Sequence, residues 1–161
     1  MRLTRSVSYA VSVLLNVEKG GARTAMTAAQ ISRGCDFPPR FLYRILRRLV
    51  DSGLLTGVSG PGGGYRLARS PRQVNLLEIV MAVEGPQEPS VLTPVCRSHQ
   101  GAMDVVNRLC AETAEHFSSE LSKKSLAQLA KAKAAKRKGA KRGTKQVVNK
   151  KRRAPGKRRR S

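Results

Sequence analysis

The sequence predicts a mostly α-helical fold with one small β-hairpin, and three observations predict it. Apolar residues recur at helical spacing in several separate runs. Two short extended runs flank a turn rich in Gly and Pro. Positive charge is crowded at one end, leaving an ordinary globule in front of it: of 32 Lys and Arg, 18 lie between Lys123 and Ser161, where there is no Asp or Glu. The other 14 face 10 acids, a balance of +4 in residues 1–122 out of a formal +22 for the chain.

The first helix is predicted from Leu3, Val7, Ala10, Val11, Leu14 and Leu15, and Gly20-Gly21 ends it. A short second helix begins at Thr27, where Thr27-Ala28-Ala29-Gln30 has the form of a capping box, and Gly34 stops it. Asp36 and Pro38 suit the entry to a third helix that runs to about Ser52, with Gly53 placed to terminate it. Leu42, Ile45, Leu46 and Leu49 fall at i, i+3, i+4 and i+7 and are expected to face the core. Arg40, Tyr43, Arg44 and Arg47 share that spacing two residues out of phase, on the opposite face.

Leu54 to Ser59 and Tyr65 to Ala68, separated by Gly60-Pro61-Gly62-Gly63-Gly64, read as the hairpin. A helix–turn–helix pair whose last helix has a basic outer face, followed by a hairpin, is a winged helix-turn-helix. That geometry sets side chains in a major groove and a wing against phosphates. The Gly-rich turn lacks the Lys-Ser/Thr ending of a nucleotide phosphate loop. Asn75-Leu76-Leu77-Glu78 starts a fourth helix carrying Leu76, Ile79, Val80 and Val83, with Gly85 at its end.

A Pro-containing connector, Pro86 to Pro94, leads to a long helix from about Ser98 to Leu121. Its narrow apolar stripe of Met103, Val106, Cys110, Phe117 and Leu121 suits a helix–helix seam between two subunits. The expected organisation is a DNA-binding domain over 1–85, a connector over 86–97, a dimerisation helix region over 98–126, and a disordered Lys/Arg-rich tail over 127–161. Lys131 to Lys145 is similar to the tail of a linker histone. It suits a nonspecific DNA clamp, the bland alternative being a solubility or translational by-product.

Composition narrows the function classes. No apolar run approaches the roughly 18–20 residues of a bilayer span, and the N-terminus lacks the order of a signal peptide. Cys35, Cys96 and Cys110 are too few for a secreted disulfide scaffold, so the expected compartment is the cytoplasm, in association with the nucleoid. Two histidines, no paired acids in a Gly-rich cleft and no nucleophile elbow argue against an enzyme or a small-molecule substrate.

Taken in order, Met1-Arg2-Leu3-Thr4, Tyr9-Ala10-Val11, Phe41-Leu42, Leu46, Leu49, Gly53-Leu54-Leu55, Gly60 to Ala68, Ile79-Val80 and Glu84-Gly85 resemble the Rrf2 family of bacterial transcription regulators. Ser125-Leu126-Ala127-Gln128-Leu129 resembles the end of the family's C-terminal region. The resemblance implies a homodimer on a pseudo-palindromic operator in double-stranded DNA, with the third helix in the major groove and the wing at the adjacent minor groove. The candidate DNA-binding residues are Arg2, Arg40, Tyr43, Arg44, Arg47, Ser59, Gly62, Gly63 and Arg66. The family commonly has Arg where this chain has Ser59, which removes a minor-groove cation.

Some relatives hold an iron–sulfur cluster with three closely spaced cysteines and a fourth ligand. Here the segment from Gly85 to Val95 contains no Cys, position 8 is Ser8, and only Cys96 and the nearby His99 match that set. No cofactor is the expected state, and the alternative is an iron–sulfur cluster whose ligand set is incomplete. Cys96 and His99 stand as a relic, a metal half-site or a redox-sensitive thiol. Cys110 is expected in a buried interface, Cys35 in a structural role and His116 at the surface. The expected function is a sequence-specific regulator, a repressor. The alternative is an architectural, histone-like protein in which the tail dominates.

Overall fold

In the computed structural model, which describes residues 3–21, 24–86 and 91–132, the chain begins with a capped helix. The Thr4 hydroxyl accepts the Ser6 N–H, and α1 (Arg5–Lys19) runs from there to Gly20. The Thr4 N–H donates to the Glu84 carboxylate at 2.9 Å, fastening the start of α1 to the far end of α4 (Leu76–Glu84). Leu3, expected on the apolar stripe, precedes the cap and is 46% exposed. Val13 and Val17 are buried although they lie off that stripe, because α1 packs against several elements rather than one.

Thr27 and Gln30 complete the capping box of α2 (Ala28–Ser32). α3 (Pro39–Asp51) starts on Pro39, whose missing N–H costs nothing in the first turn. It ends with Gly53 at φ +68°: the Gly53 N–H donates to the Val50 carbonyl and the Leu54 N–H to the Leu49 carbonyl, both at 2.9 Å. This pattern satisfies two orphan carbonyls and turns Leu54 into the core. Leu42, Ile45, Leu46 and Leu49 are all buried, as their spacing predicts.

Two antiparallel strands follow, β1 (Leu55–Val58) and β2 (Gly64–Leu67), in the register Leu55↔Leu67 to Val58↔Gly64. Leu55 and Leu67 close the hairpin's base onto the core. α4 is capped by an Asn75/Glu78 box and buries Ile79, Val80 and Val83. A 3-10 turn (Arg97–His99) then opens α5 (Gln100–Ser122). The Asn107 side chain holds the connector against α5: it accepts from the Leu92 N–H at 2.8 Å and donates to the Leu92 carbonyl at 2.9 Å.

Two expectations about the C-terminal part need correction. Leu121 is buried in the core of its own chain rather than open to a seam, and Phe117 is half-buried against that core. α5 packs on α4, and among the stripe residues Met103, Val106 and Cys110 stay outside that core. The chain also stays structured past 127. Residues 126–132 are helical, Ser125 and Gln128 form a reciprocal cap, and Leu126 is fully buried. The expected disordered tail lies outside the described residues from 133 onward.

Candidate nucleic-acid interface

Three half-buried aromatic rings pack against the aliphatic core of the helix–turn–helix. Tyr9 of α1 meets Phe37 at 5.3 Å and Phe41 at 4.9 Å between centroids, in tilted arrangements that suit aromatic quadrupoles. Phe41 in turn carries the Arg44 guanidinium 4.5 Å from its ring centroid. Arg44 is therefore braced on the helix surface by a cation–π contact, which lowers its freedom before any ligand arrives.

Around it, the outer face of α3 is open. Arg40, Tyr43 and Arg47 are exposed, Tyr43 at 58%. The Arg47 side chain is 86% exposed and only 3.8 Å from Asp51, a loose ion pair of little worth that a phosphate or base edge can displace. Arg48, next in sequence, does something else: it donates to the Val83 carbonyl and ties α3 to the end of α4. Neighbouring arginines thus divide between an open face and a structural tie.

The wing is locked to the helix–turn–helix. Met26, immediately before the cap of α2, pairs with Tyr65 of β2: the Met26 N–H donates to the Tyr65 carbonyl at 2.9 Å and the Tyr65 N–H to the Met26 carbonyl at 2.8 Å. Gly64 lets the two backbones meet, since a β-carbon there would lie 2.3 Å from the Met26 oxygen. Gly63 is equally constrained, because a β-carbon would lie 2.4 Å from the Val58 oxygen. Gly63 thus shapes the turn, while Ser59 and Gly62 are exposed at its tip and Arg66 is exposed on β2. Arg2 lies outside the described residues.

Sequence reasoning missed the Met26 bridge, the Arg48 tie and the pairing of Arg69 with Glu78 at 3.0 Å. The aromatic cluster carried a signal in Tyr9 and Phe41, which belong to the motifs of the resemblance. Cys96 and His99 are both exposed, joined by a backbone bond from the His99 N–H to the Cys96 carbonyl at 3.0 Å. Cys110 and His116 are exposed on this chain. Cys35 is half-buried in the turn between α2 and α3, where its Sγ accepts from the buried Asn16 at 3.5 Å. Asn16 also donates to the Ile31 carbonyl at 2.8 Å, holding α2 to α1. Glu120 has its carboxyl held below the usual range, first by the hydrogen bond from Lys123 and then by the charges of Lys123, His116 and Lys124.

Comparison with known proteins agrees with this geometry. Residues 3–132 match the family described as Rrf2, iron-dependent transcriptional regulator. The HTH-type transcriptional regulator IscR of Xenorhabdus nematophila is 30% identical over 135 residues, covering 81% of this chain and 80% of that protein. An Rrf2-like regulator of Rhodobacter capsulatus is also 30% identical, over 68% of this chain and 79% of its own length. Among solved structures, the global cysteine regulator CymR of B. subtilis superposes with a TM-score of 0.66 at 17% identity, over 82% of this chain and 98% of that one. IscR of T. potens does so at 0.59 and 19%, over 82% and 88%. At such identities these two establish the fold alone.

The iron in the family's description raises the question of a metal centre. The donors present do not fit one: a cluster takes about four ligands, mostly thiolates. Cys35 is committed to the helix–turn–helix turn, and Cys96 and Cys110 stand exposed without a grouped set of acceptors. Among the described residues, no three His, Cys, Asp or Glu side chains gather where an ion could be held. What remains is a braced basic helix face beside a wing fixed to it, carried on a match over most of the chain: this protein belongs to the Rrf2 family of DNA-binding transcription regulators and is not an enzyme.

Proposed function

We propose that this chain is a sequence-specific repressor that binds a two-fold-related operator as a homodimer in the cytoplasm. In this reading α3 enters the major groove, where Arg44 and Arg47 reach base edges while Arg40 and Tyr43 hold the backbone. The wing meets the adjacent minor groove through Ser59, Gly62 and Arg66, and the polycationic end adds affinity that ignores sequence. The observation that carries it is the outer face of α3: four side chains at i, i+3, i+4 and i+7, all exposed, with Arg44 braced on Phe41. The homodimer is supported by the upper part of α5, where Val105, Val106 and Leu109 are exposed apolar residues without a cover among the described residues. An architectural role is not favoured, since the relatives are named as transcriptional regulators.

Selection from random-sequence duplexes by the purified full chain tests the reading. A two-fold motif bound roughly 10³-fold or more above random DNA is expected. The double substitution Arg44→Ala, Arg47→Ala is expected to abolish that preference, at about 1–3 kcal/mol for each arginine that reads a base edge, while salt-sensitive binding persists. A wild-type chain that enriches no motif overturns the proposal.

A further inference from the structure

The face that α3 turns outward is chemically one-sided. Past its opening proline, its exposed side chains are Arg40, Tyr43, Arg44, Arg47, Arg48 and Asp51. Arg48 is tied to the Val83 carbonyl, and Asp51, in the last turn, stands 3.8 Å from Arg47. Three guanidinium groups and one phenol remain, and a guanidinium donates but never accepts. No Asn or Gln occurs between Pro39 and Asp51, so the bidentate partner of adenine is missing from this helix. In the major groove guanine alone presents two acceptors side by side, N7 and O6. Adenine sets a donor beside its acceptor, cytosine offers a donor, and thymine has one acceptor beside a methyl group. A surface of paired donors therefore matches guanine.

The arginines on this face are not held alike. Arg47 has its loose pair with Asp51, its side chain 86% exposed. Arg44 has no carboxylate partner among the described residues and lies 4.5 Å from the centroid of the Phe41 ring, one turn before it. Phe41 is fixed in turn: it is half-buried against the core, with the Tyr9 ring 4.9 Å away and Tyr9 itself against Phe37. α1 thus orients Phe41, and Phe41 orients Arg44. A cation–π contact consumes none of the five N–H donors of the guanidinium, so the fork stays free to meet a base. Bidentate reading needs position and direction together, and a side chain already restrained loses less freedom in reaching them.

We propose that Arg44 fixes a guanine in each operator half-site, and that Phe41, oriented by Tyr9, is the positioning residue that makes this reading selective. The proposal rests on the regulator reading above and names the base that its recognition helix takes. Phe41 acts through Arg44 and makes no contact of its own with the DNA. Arg47, unbraced, contributes less selectivity per contact. A two-fold operator counts the effect of Phe41 twice, once in each half-site.

The test uses the full chain and the operator recovered by selection from random duplexes. Fluorescence anisotropy compares that operator with versions carrying another base, or 7-deazaguanine, at one guanine in each half-site; 7-deazaguanine keeps its pairing and O6 but lacks the N7 acceptor. The wild type is expected to prefer guanine at one position per half-site by about 5- to 150-fold, and to bind the 7-deazaguanine duplex more weakly. Arg44→Lys, which keeps the charge but not the fork, is expected to lose both differences at that position. Phe41→Leu is expected to reduce the preference there by about twofold to fivefold per half-site, with affinity for a scrambled duplex unchanged, and Phe41→Tyr to restore it. A Phe41→Leu protein that weakens on operator and scrambled duplex alike, with its guanine preference intact, overturns the positioning role. An Arg44→Lys protein with wild-type preference at every guanine overturns the proposal whatever the Phe41 variants do, and so does a selected motif with no guanine in its half-sites. Neither result touches the regulator reading, which fails separately if the wild type enriches no motif.

Discussion

Replacing Gly64 with alanine puts the coupling of wing and helix–turn–helix under direct strain. The new β-carbon would sit 2.3 Å from the Met26 oxygen, 2.5 Å from its carbonyl carbon and 2.9 Å from the Thr27 nitrogen. All three are backbone atoms, so relief requires β2 to move away from Met26. That movement breaks the two Met26–Tyr65 hydrogen bonds, each worth about 1 kcal/mol net. Holding a non-glycine residue at φ +149° adds roughly 1–3 kcal/mol. The sum is about 3–5 kcal/mol, a fall of roughly 10–20 °C in Tm for a domain of this size. Gly62→Ala is the control: φ there is +77°, but no atom lies within 4 Å of the added carbon, so only about 1–2 kcal/mol is expected. Urea unfolding gives the two energies, and amide exchange at Met26 and Tyr65 reports the bridge itself. A Gly64→Ala protein as stable as Gly62→Ala, with both amides still slow, would refute the reasoning.

Three further outcomes are expected. Leu126→Ala should cost about 2–5 kcal/mol by emptying a fully buried site, and should speed exchange of the Leu76 and Leu126 amides; a stability loss under 1 kcal/mol in denaturant titration contradicts it. Val105→Asp with Leu109→Asp should leave the fold intact and convert a dimer to a monomer by light scattering, because both side chains are exposed on the upper part of α5; an unchanged mass removes that face from the interface. Ser59→Arg at the wing tip should tighten operator binding about fivefold to tenfold, on the order of 1 kcal/mol, with the gain shrinking as salt rises. Affinity unchanged at low salt would mean that the tip does not reach the minor groove.

What the sequence made readable was local. The split faces of α3 follow from a 3.6-residue period, and Gly53, Thr27 with Gln30, and Asn75 with Glu78 announce ends and beginnings within four residues of themselves. The Met26–Tyr65 bridge was invisible because a pairing across 39 residues leaves no periodic mark, and Met26 contributes a single residue to it. Phe117 and Leu121 lie on the same stripe as Met103 and Val106, yet α4 covers only the lower part of α5. A stripe records which face is apolar, not which neighbour buries it. Ser125 and Gln128 spell the same cap as Thr27 and Gln30, but the Lys-rich composition that follows masked a helix start. For the interface, the exposed cations were readable and the division of labour between Arg47 and Arg48 was only partly so. It depends on where the Val83 carbonyl lies.

α5 is anchored through its lower part, where Ala114 and Leu121 are buried, while its first ten residues stand clear of the core. From Ala114 back to Gln100 the axis is about 21 Å long. A tilt of about 10° at the anchored end therefore carries the other end about 4 Å, close to the 3.4 Å axial rise of one base pair. The element that receives the anchored end, α4, is also the one gripped by Arg48 from α3. In the proposed dimer, a small change of angle at that one helix root is thus magnified at the far end of α5, the side on which the exposed Val105, Val106 and Leu109 lie.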